Sequence, residues 1–243
     1  MAPPDVLVLP PGDHGHSSRN YAETIGRHLP EHTVRHADSP REERELISSA
    51  PVATGTTLDA ELLGHADDLE LFACTWAGYD HLPLEELAER SVAVTNASGV
   101  FAPNIAEHVV GGILVFVRRF HEGWRRNANH EWRHYQAREL AGSTVTIVGL
   151  GSIGRAVGRR LEPFDVERIG VRHTPSKGGP VDEVIGSAED AIHRALARTD
   201  YLALTCPLTG TTRGLIGGDE LDRLPSHAVL VNVARGEVVE TPA

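Results

Sequence analysis

The chain has 243 residues, 40% apolar and 23% charged, the composition of a globular protein with room for two modest domains, and not that of a disordered or fibrous one. Its 34 acidic against 23 basic side chains leave a net charge of −11, which argues against nucleic acid or an acidic membrane as a partner. The longest apolar run, Val109–Val117, is too short to cross a bilayer.

Lys177 is the single lysine among the 23 basic residues. A lysine-poor, acidic surface fits a salt-adapted, halophilic cytoplasm, and GC-rich codon usage accounts for it equally well. Cys74 and Cys206 end apolar runs and read as reduced core residues, and no signal peptide precedes the first strand, so a cytoplasmic setting is expected.

Residues 1–98 alternate short strands and helices. Strands are expected at Val6–Leu9 (ending at Pro10-Pro11-Gly12), Thr33–His36, from Val52, Leu69–Cys74 and Val92–Val94. Helices are expected from an N-cap at about Ser18 to His28, over Arg41–Ser48, over Leu58–Leu63 with Asp59 in the first turn, and over Pro83–Ala88. Such alternation implies a parallel sheet covered by helices, with ligands at the carboxyl ends of the strands. Thr75-Trp76-Ala77-Gly78-Tyr79 is the loop at that end of the fourth strand, where Gly78 lets backbone donors approach an anion.

Asn96–Gly99 reads as a hinge into a second domain, residues 99–243. A long helix over Pro103–Phe120 is apolar nearly all round and so is expected to be buried, in part by a second subunit. Trp124, Trp132 and their neighbouring arginines in the segment 121–140 suit an interface, or packing within one chain.

The organising stretch begins at Val145. An apolar strand, Val145–Val148, runs into Gly149-Leu-Gly151-Ser152-Ile153-Gly154 and then a helix to Leu161. Gly149 permits the tight turn, Gly151 the approach of a pyrophosphate, and Gly154 the packing of helix on strand. The helix N-terminus offers Ser152 and Ile153 amides and a positive dipole to the phosphates. The second strand, Glu167–Val171, ends where an NAD-binding chain usually carries an acid for the ribose 2′-hydroxyl. Here Arg172, His173, Thr174, Ser176 and Lys177 follow, cations and hydroxyls that suit a 2′-phosphate. NADP is therefore the expected cofactor, with NAD the weaker alternative and a merely solvated basic loop the bland one.

Further strands are expected at Val181–Ile185, Tyr201–Thr205 and Ala228–Ala234, with helices at Ala188–Ala197 and Asp219–Leu224 and a turn at Thr209–Thr212. The last strand is expected to be buried, Asn232 with it, and to place Arg235 at its carboxyl end, where a guanidinium clamps a carboxylate with two bonds.

The chain resembles the D-2-hydroxyacid dehydrogenases, which include glyoxylate/hydroxypyruvate reductases and D-3-phosphoglycerate dehydrogenases. The resemblance is carried by Ala77-Gly-Tyr-Asp80, by Asn96–Gly99 with Ala106-Glu-His108, and by the glycine loop. Cys206-Pro-Leu-Thr209 with Thr212 and Leu215-Ile216, and Asn232-Val-Ala-Arg-Gly236, complete it. It implies an α/β chain with a flavodoxin-like substrate domain (1–98) and a Rossmann-like, doubly wound cofactor domain (99–243), incomplete here. It implies a small 2-keto or 2-hydroxy acid substrate, and a homodimer built through helix 103–120 and segment 121–140. Backbone N–H groups around Ala77 and Gly78 would hold the substrate carboxylate; beyond the resemblance, Trp76 and Tyr79 are residues that would shape a pocket for a medium apolar side chain. Arg235 would bind carboxylate and keto oxygen, and Thr205, Cys206, Pro207, Thr212, Val233, Ala234 and Arg235 would line the nicotinamide.

The resemblance implies a site completed by a Glu and then a His, both downstream of that Arg, and this sequence ends before the place of either. The expectation is a truncated dehydrogenase, short of its proton donor and severely impaired as a polypeptide. His81 and His108 lie near motif loops but not at the family's place for the acid. The alternative is a non-catalytic NADP-binding dimer, redox-sensing or corepressor-like. An adenosylhomocysteine-hydrolase-like enzyme shares the glycine loop but does not predict Cys206–Thr209 followed by Asn232–Gly236.

Overall fold

The computed structural model describes residues 3–10 and 17–241, so the Pro11-Gly12 turn lies outside the described residues. The chain divides into two compact units, residues 1–100 and 101–243.

The first unit runs β1 (Val6–Val8), α1 (Ser18–His28), β2 (Val34–His36), α2 (Pro40–Ile47), β3 (Val52–Gly55), α3 (Ala60–Leu63), β4 (Leu71–Cys74), α4 (Leu84–Glu89) and β5 (Ala93–Asn96). Its five strands are all parallel in the order β2-β1-β3-β4-β5, the flavodoxin-like arrangement. Leu7, Leu9, Ile47, Leu58, Leu63, Phe72 and Leu87 fill its core. Three helices start on side-chain caps that each accept a first-turn amide: Ser17 from Asn20, Ser39 from Glu42 and Asp59 from Leu62. The first cap is thus Ser17, one residue before the expected Ser18. Asp59 is likewise the cap and not a first-turn residue.

The second unit runs α5 (Ala102–Val117), α6 (Phe120–Ala128), β6 (Thr144–Val148), α7 (Ser152–Leu161), β7 (Glu167–Val171), β8 (Glu183–Ile185), α8 (Glu189–Leu196), β9 (Tyr201–Leu204), α9 (Gly218–Arg223) and β10 (Val229–Asn232). Its five parallel strands order as β10-β9-β6-β7-β8. Counted from β8 this is third, second, first, fourth, fifth, the order of a dinucleotide-binding sheet. Alternation along the central strands supplies two cores. Val145, Ile147, Tyr201 and Ala203 face α5 and α7, while Val148, Leu202 and Leu204 pack with Ile192 and Leu196 of α8. Thr146 of β6 and Thr199, both buried, satisfy one another at 2.6 Å.

Two expectations are corrected here. The helix expected over 103–120 ends at Val117, and Arg119, in the left-handed region at φ 52°, turns the chain into α6. α5 is not covered all round in this chain: Val109, Ile113 and Val117 are buried, but Phe116 is about half exposed, as is Phe120 at the start of α6. The strand expected over Ala228–Ala234 pairs only from Val229 to Asn232. It pairs with β9 alone among the described residues, so its side chains are part-buried and Asn232 is exposed. No helix among the described residues is long and apolar enough to cross a membrane.

Candidate functional site

In the second unit the glycine loop lies at the carboxyl end of β6, the middle strand. Gly149 has φ +98°, and a Cβ there would stand 2.7 Å from the Cys206 backbone, so both conformation and space demand glycine. A Cβ on Gly154 would fall 1.9 Å from the Gly149 carbonyl oxygen and 2.7 Å from Thr205 Oγ1, closing the seam between α7 and the sheet. A Cβ on Gly151 would meet nothing within 4 Å. The loop is thus tight where it touches protein and open over the N-terminus of α7, where the Ser152 and Ile153 amides have no intrahelical acceptor. Its open amides and the residues around them fit a dinucleotide.

Three seats of this loop were not foreseen as such. Leu150 is buried and lies over Gly170 of β7 and over Gly179; a Cβ on either would come within 2.7 Å of its Cδ1. Gly158, one turn beyond Gly154, would likewise press on the Pro180 carbonyl at 2.6 Å. The signal was present as a fourth glycine four residues on, but a glycine inside a helix marks close packing only when its neighbour is known.

The turn after β7 lies beside the loop, because the Gly149 amide donates to the Val171 carbonyl at 2.8 Å. Arg172 is half-buried, and its Nη1 donates to the Gly178 carbonyl at 2.6 Å, closing residues 172–178 into a compact turn. Its other guanidinium donors have no partner among the described residues. His173, Thr174 and Lys177 are exposed, the last at the end of a 3-10 turn over Pro175–Lys177.

Thr205, at the end of β9, donates its hydroxyl inward to the Gly149 carbonyl at 2.6 Å, with Val148 O at 3.1 Å. Cys206 is buried against Gly149, and that burial pushes its thiol pKa up, away from reactivity. Pro207 is exposed, and its carbonyl accepts the Thr212 hydroxyl at 2.6 Å, so Thr212 shapes the turn after β9. Val233 and Ala234 continue from β10, the Val233 amide bonding to Leu204 O at 3.1 Å. The exposed Asn232 side chain is satisfied after all: Nδ2 donates to Arg235 O at 2.8 Å and Oδ1 accepts the Ala234 amide at 2.9 Å. Arg235 is exposed, extended in backbone, with Nη1 donating to the Ala234 carbonyl at 3.0 Å.

In the first unit the Trp76–Tyr79 loop follows β4. Asn96 Nδ2 donates to the Ala77 carbonyl at 2.6 Å, and the Cys74 thiol lies 3.9 Å from the Gly78 carbonyl. Across a trans peptide the next N–H points opposite to the carbonyl, so the Gly78 and Tyr79 amides face away from these partners. Trp76 and Tyr79 are about half exposed, and His81 braces Trp76 edge-on at 5.7 Å while its Nε2 lies 2.7 Å from Thr56 O.

Residues 110–243 match the family model for the NAD binding domain of D-isomer specific 2-hydroxyacid dehydrogenases. A glyoxylate reductase of Thermofilum pendens is 33% identical over 193 residues, 76% of this chain and 56% of that protein. A D-isomer specific 2-hydroxyacid dehydrogenase family protein of Aeromonas salmonicida superposes with TM-score 0.83 at 26% identity, over 97% of this chain and 74% of that one. An NAD-dependent formate dehydrogenase of Staphylococcus aureus, solved with NAD, gives TM-score 0.76 at 26% identity over 97% and 75%. The chain spans little more than half the length of the first curated relatives it matches. With its glycine cradle at the centre of a 3-2-1-4-5 sheet, the chain belongs to the D-isomer specific 2-hydroxyacid dehydrogenases.

Proposed function

We propose that these 243 residues carry the nucleotide and carboxylate contacts of an NADP-dependent oxidoreductase that reduces small 2-keto acids to D-2-hydroxy acids. The observation that carries the reading is the glycine loop, sealed at Gly149 and Gly154 and open at Gly151. The bound dihydronicotinamide would supply the hydride. The open face over Gly151 and the first turn of α7 hold the pyrophosphate, and Arg172 with Lys177 hold the 2′-phosphate. Cys206, Pro207, Val233 and Ala234 form the wall at the nicotinamide end, with Thr205 and Thr212 holding the backbone behind them. Arg235 binds a substrate carboxylate and polarises the keto oxygen. In the first unit, the outward Gly78 and Tyr79 amides, with Trp76 and Ala77 around them, offer donors to a carboxylate. Residues 1–98 are then the substrate domain and 99–243 the cofactor domain.

No Glu–His pair follows Arg235 in these residues, so the polypeptide alone should turn over slowly, by about the 10²–10⁴-fold that general acid catalysis contributes. A half-exposed Phe116 and Phe120 and a fully exposed Trp132 support a homodimer through 103–140, readable by sedimentation. A cytoplasmic setting fits buried cysteines.

The test follows NADPH oxidation with 2-keto acids, beginning with glyoxylate, by the 243-residue polypeptide and by a form extended through the codons that follow. Turnover by the extended form alone supports the reading. Binding of NADPH without turnover by either form supports a non-catalytic, redox-sensing dimer instead. Full turnover by the short form contradicts the proton-donor argument.

A further inference from the structure

The geometry points to Thr205 as a positioning residue that sets the pyrophosphate loop from the neighbouring strand, and not as a contact of the nicotinamide. The inference rests on the dinucleotide reading of the glycine loop.

The Gly149 carbonyl is wedged on two sides. Gly154 closes on it so nearly that a Cβ would fall 1.9 Å away, and the Thr205 hydroxyl donates to it at 2.6 Å. A hydroxyl has one proton, and the shorter bond takes it; the Val148 carbonyl at 3.1 Å is already served by the Thr205 amide at 2.9 Å. Across the trans peptide, fixing the Gly149 carbonyl fixes the Leu150 N–H in the opposite direction, so the hydroxyl sets the rotation of the peptide plane that leads into Gly151. Leu150, held over Gly170 and Gly179, anchors the same plane from its other end. Between these two anchors the backbone at Gly151 has a single orientation in which to receive a phosphate. Thr205 spends its donor inside the protein, so toward a nicotinamide carboxamide it could only accept; probes that lack the nicotinamide separate that contact from the positioning role.

The test compares the wild-type chain with Thr205→Val, Thr205→Ala and Thr205→Ser, titrated with NADPH, NADH, ADP-ribose and 2′-phospho-ADP-ribose. The last two keep the pyrophosphate and lack the nicotinamide. Val and Ala should weaken the dinucleotide and its nicotinamide-free counterpart by the same factor, about tenfold, as for one lost buried hydrogen bond. Ser should restore affinity to within about twofold, since it keeps the hydroxyl. Weaker dinucleotide binding with unchanged binding of the counterpart would place Thr205 on the nicotinamide and overturn the inference. Equal affinity for the Ser and Ala variants would overturn it too, and that comparison stands if Thr205→Val does not fold. Wild-type protein that binds none of the four probes would overturn the dinucleotide reading and this inference with it.

Discussion

The Asn232 side chain closes the turn that presents Arg235, donating to the Arg235 carbonyl at 2.8 Å while accepting the Ala234 amide at 2.9 Å. The bond pair fixes where the backbone leaves β10, and so the base from which the guanidinium reaches. Replacing Asn232 by Ala removes both bonds from an exposed turn. It should cost about 1 kcal/mol in urea unfolding and weaken a non-reacting carboxylate such as oxamate several-fold in the NADPH complex. Affinity for NADPH itself should hold.

Gly151 and Gly154 should separate binding from folding. Gly154→Ala drives a Cβ to 1.9 Å from a backbone oxygen and should destabilise the chain by at least the ~1–3 kcal/mol typical of overpacking. Gly151→Ala meets no protein atom within 4 Å and has an ordinary φ of −74°, so its melting temperature should stay near wild type. Its dinucleotide affinity should nonetheless fall by at least about tenfold, because the methyl stands where the phosphates approach. Calorimetry and NADPH titration of the pair check both halves.

Arg172 should decide between the two dinucleotides. Its side-chain bond to Gly178 O at 2.6 Å holds the guanidinium in the 172–178 turn beside the glycine loop. Arg172→Ala should lower NADPH affinity by about tenfold or more while changing NADH affinity much less, since a charge-assisted bond to a phosphate contributes about 1.5–3 kcal/mol. An unchanged ratio of the two dissociation constants would remove the case for NADP.

The Arg168–Asp182 bridge gives a pH signature. Two guanidinium bonds, at 2.7 and 3.0 Å, hold the Asp182 carboxyl down at about 2, below its ordinary 3.8. A depressed carboxylate contributes stability above its unfolded pKa, and that contribution is lost as pH falls through the window from 3.8 to about 2. Asp182 is about half exposed, so the contribution is at most about 1 kcal/mol. Asp182→Asn should therefore be less stable than wild type at pH 7, and the difference should shrink as pH falls from 3.8 and vanish only below about 2; urea midpoints at pH 7 and across that window measure it.

Where burial follows from a residue's own neighbours in sequence, the fold was legible. The β-branched run into Gly149 located β6 and the turn, and Glu167–Val171 was read to the residue, its Ile169–Val171 end buried as expected for the middle of a parallel sheet. The break at Arg119 was not legible: Val117-Arg-Arg-Phe120 contains no glycine, proline or asparagine, and a left-handed arginine is imposed by packing on either side. The exposure of Asn232 was missed for a related reason, since an apolar strand at a sheet's edge looks in sequence like one at its centre. In the site, glycines announced themselves by spacing. The inward hydroxyl of Thr205 and the Leu150 seat on Gly170 did not, because each joins positions far apart in the chain.

The most direct test of the account is a titration of the 243-residue chain with NADPH and with NADH, read by nicotinamide fluorescence, for wild type beside Gly151→Ala. The account predicts saturable one-to-one binding to wild type, tighter for NADPH, and a loss of at least about tenfold in the variant with no change in melting temperature. Wild-type protein that binds neither dinucleotide, or a Gly151→Ala variant that binds as well as wild type, would contradict it.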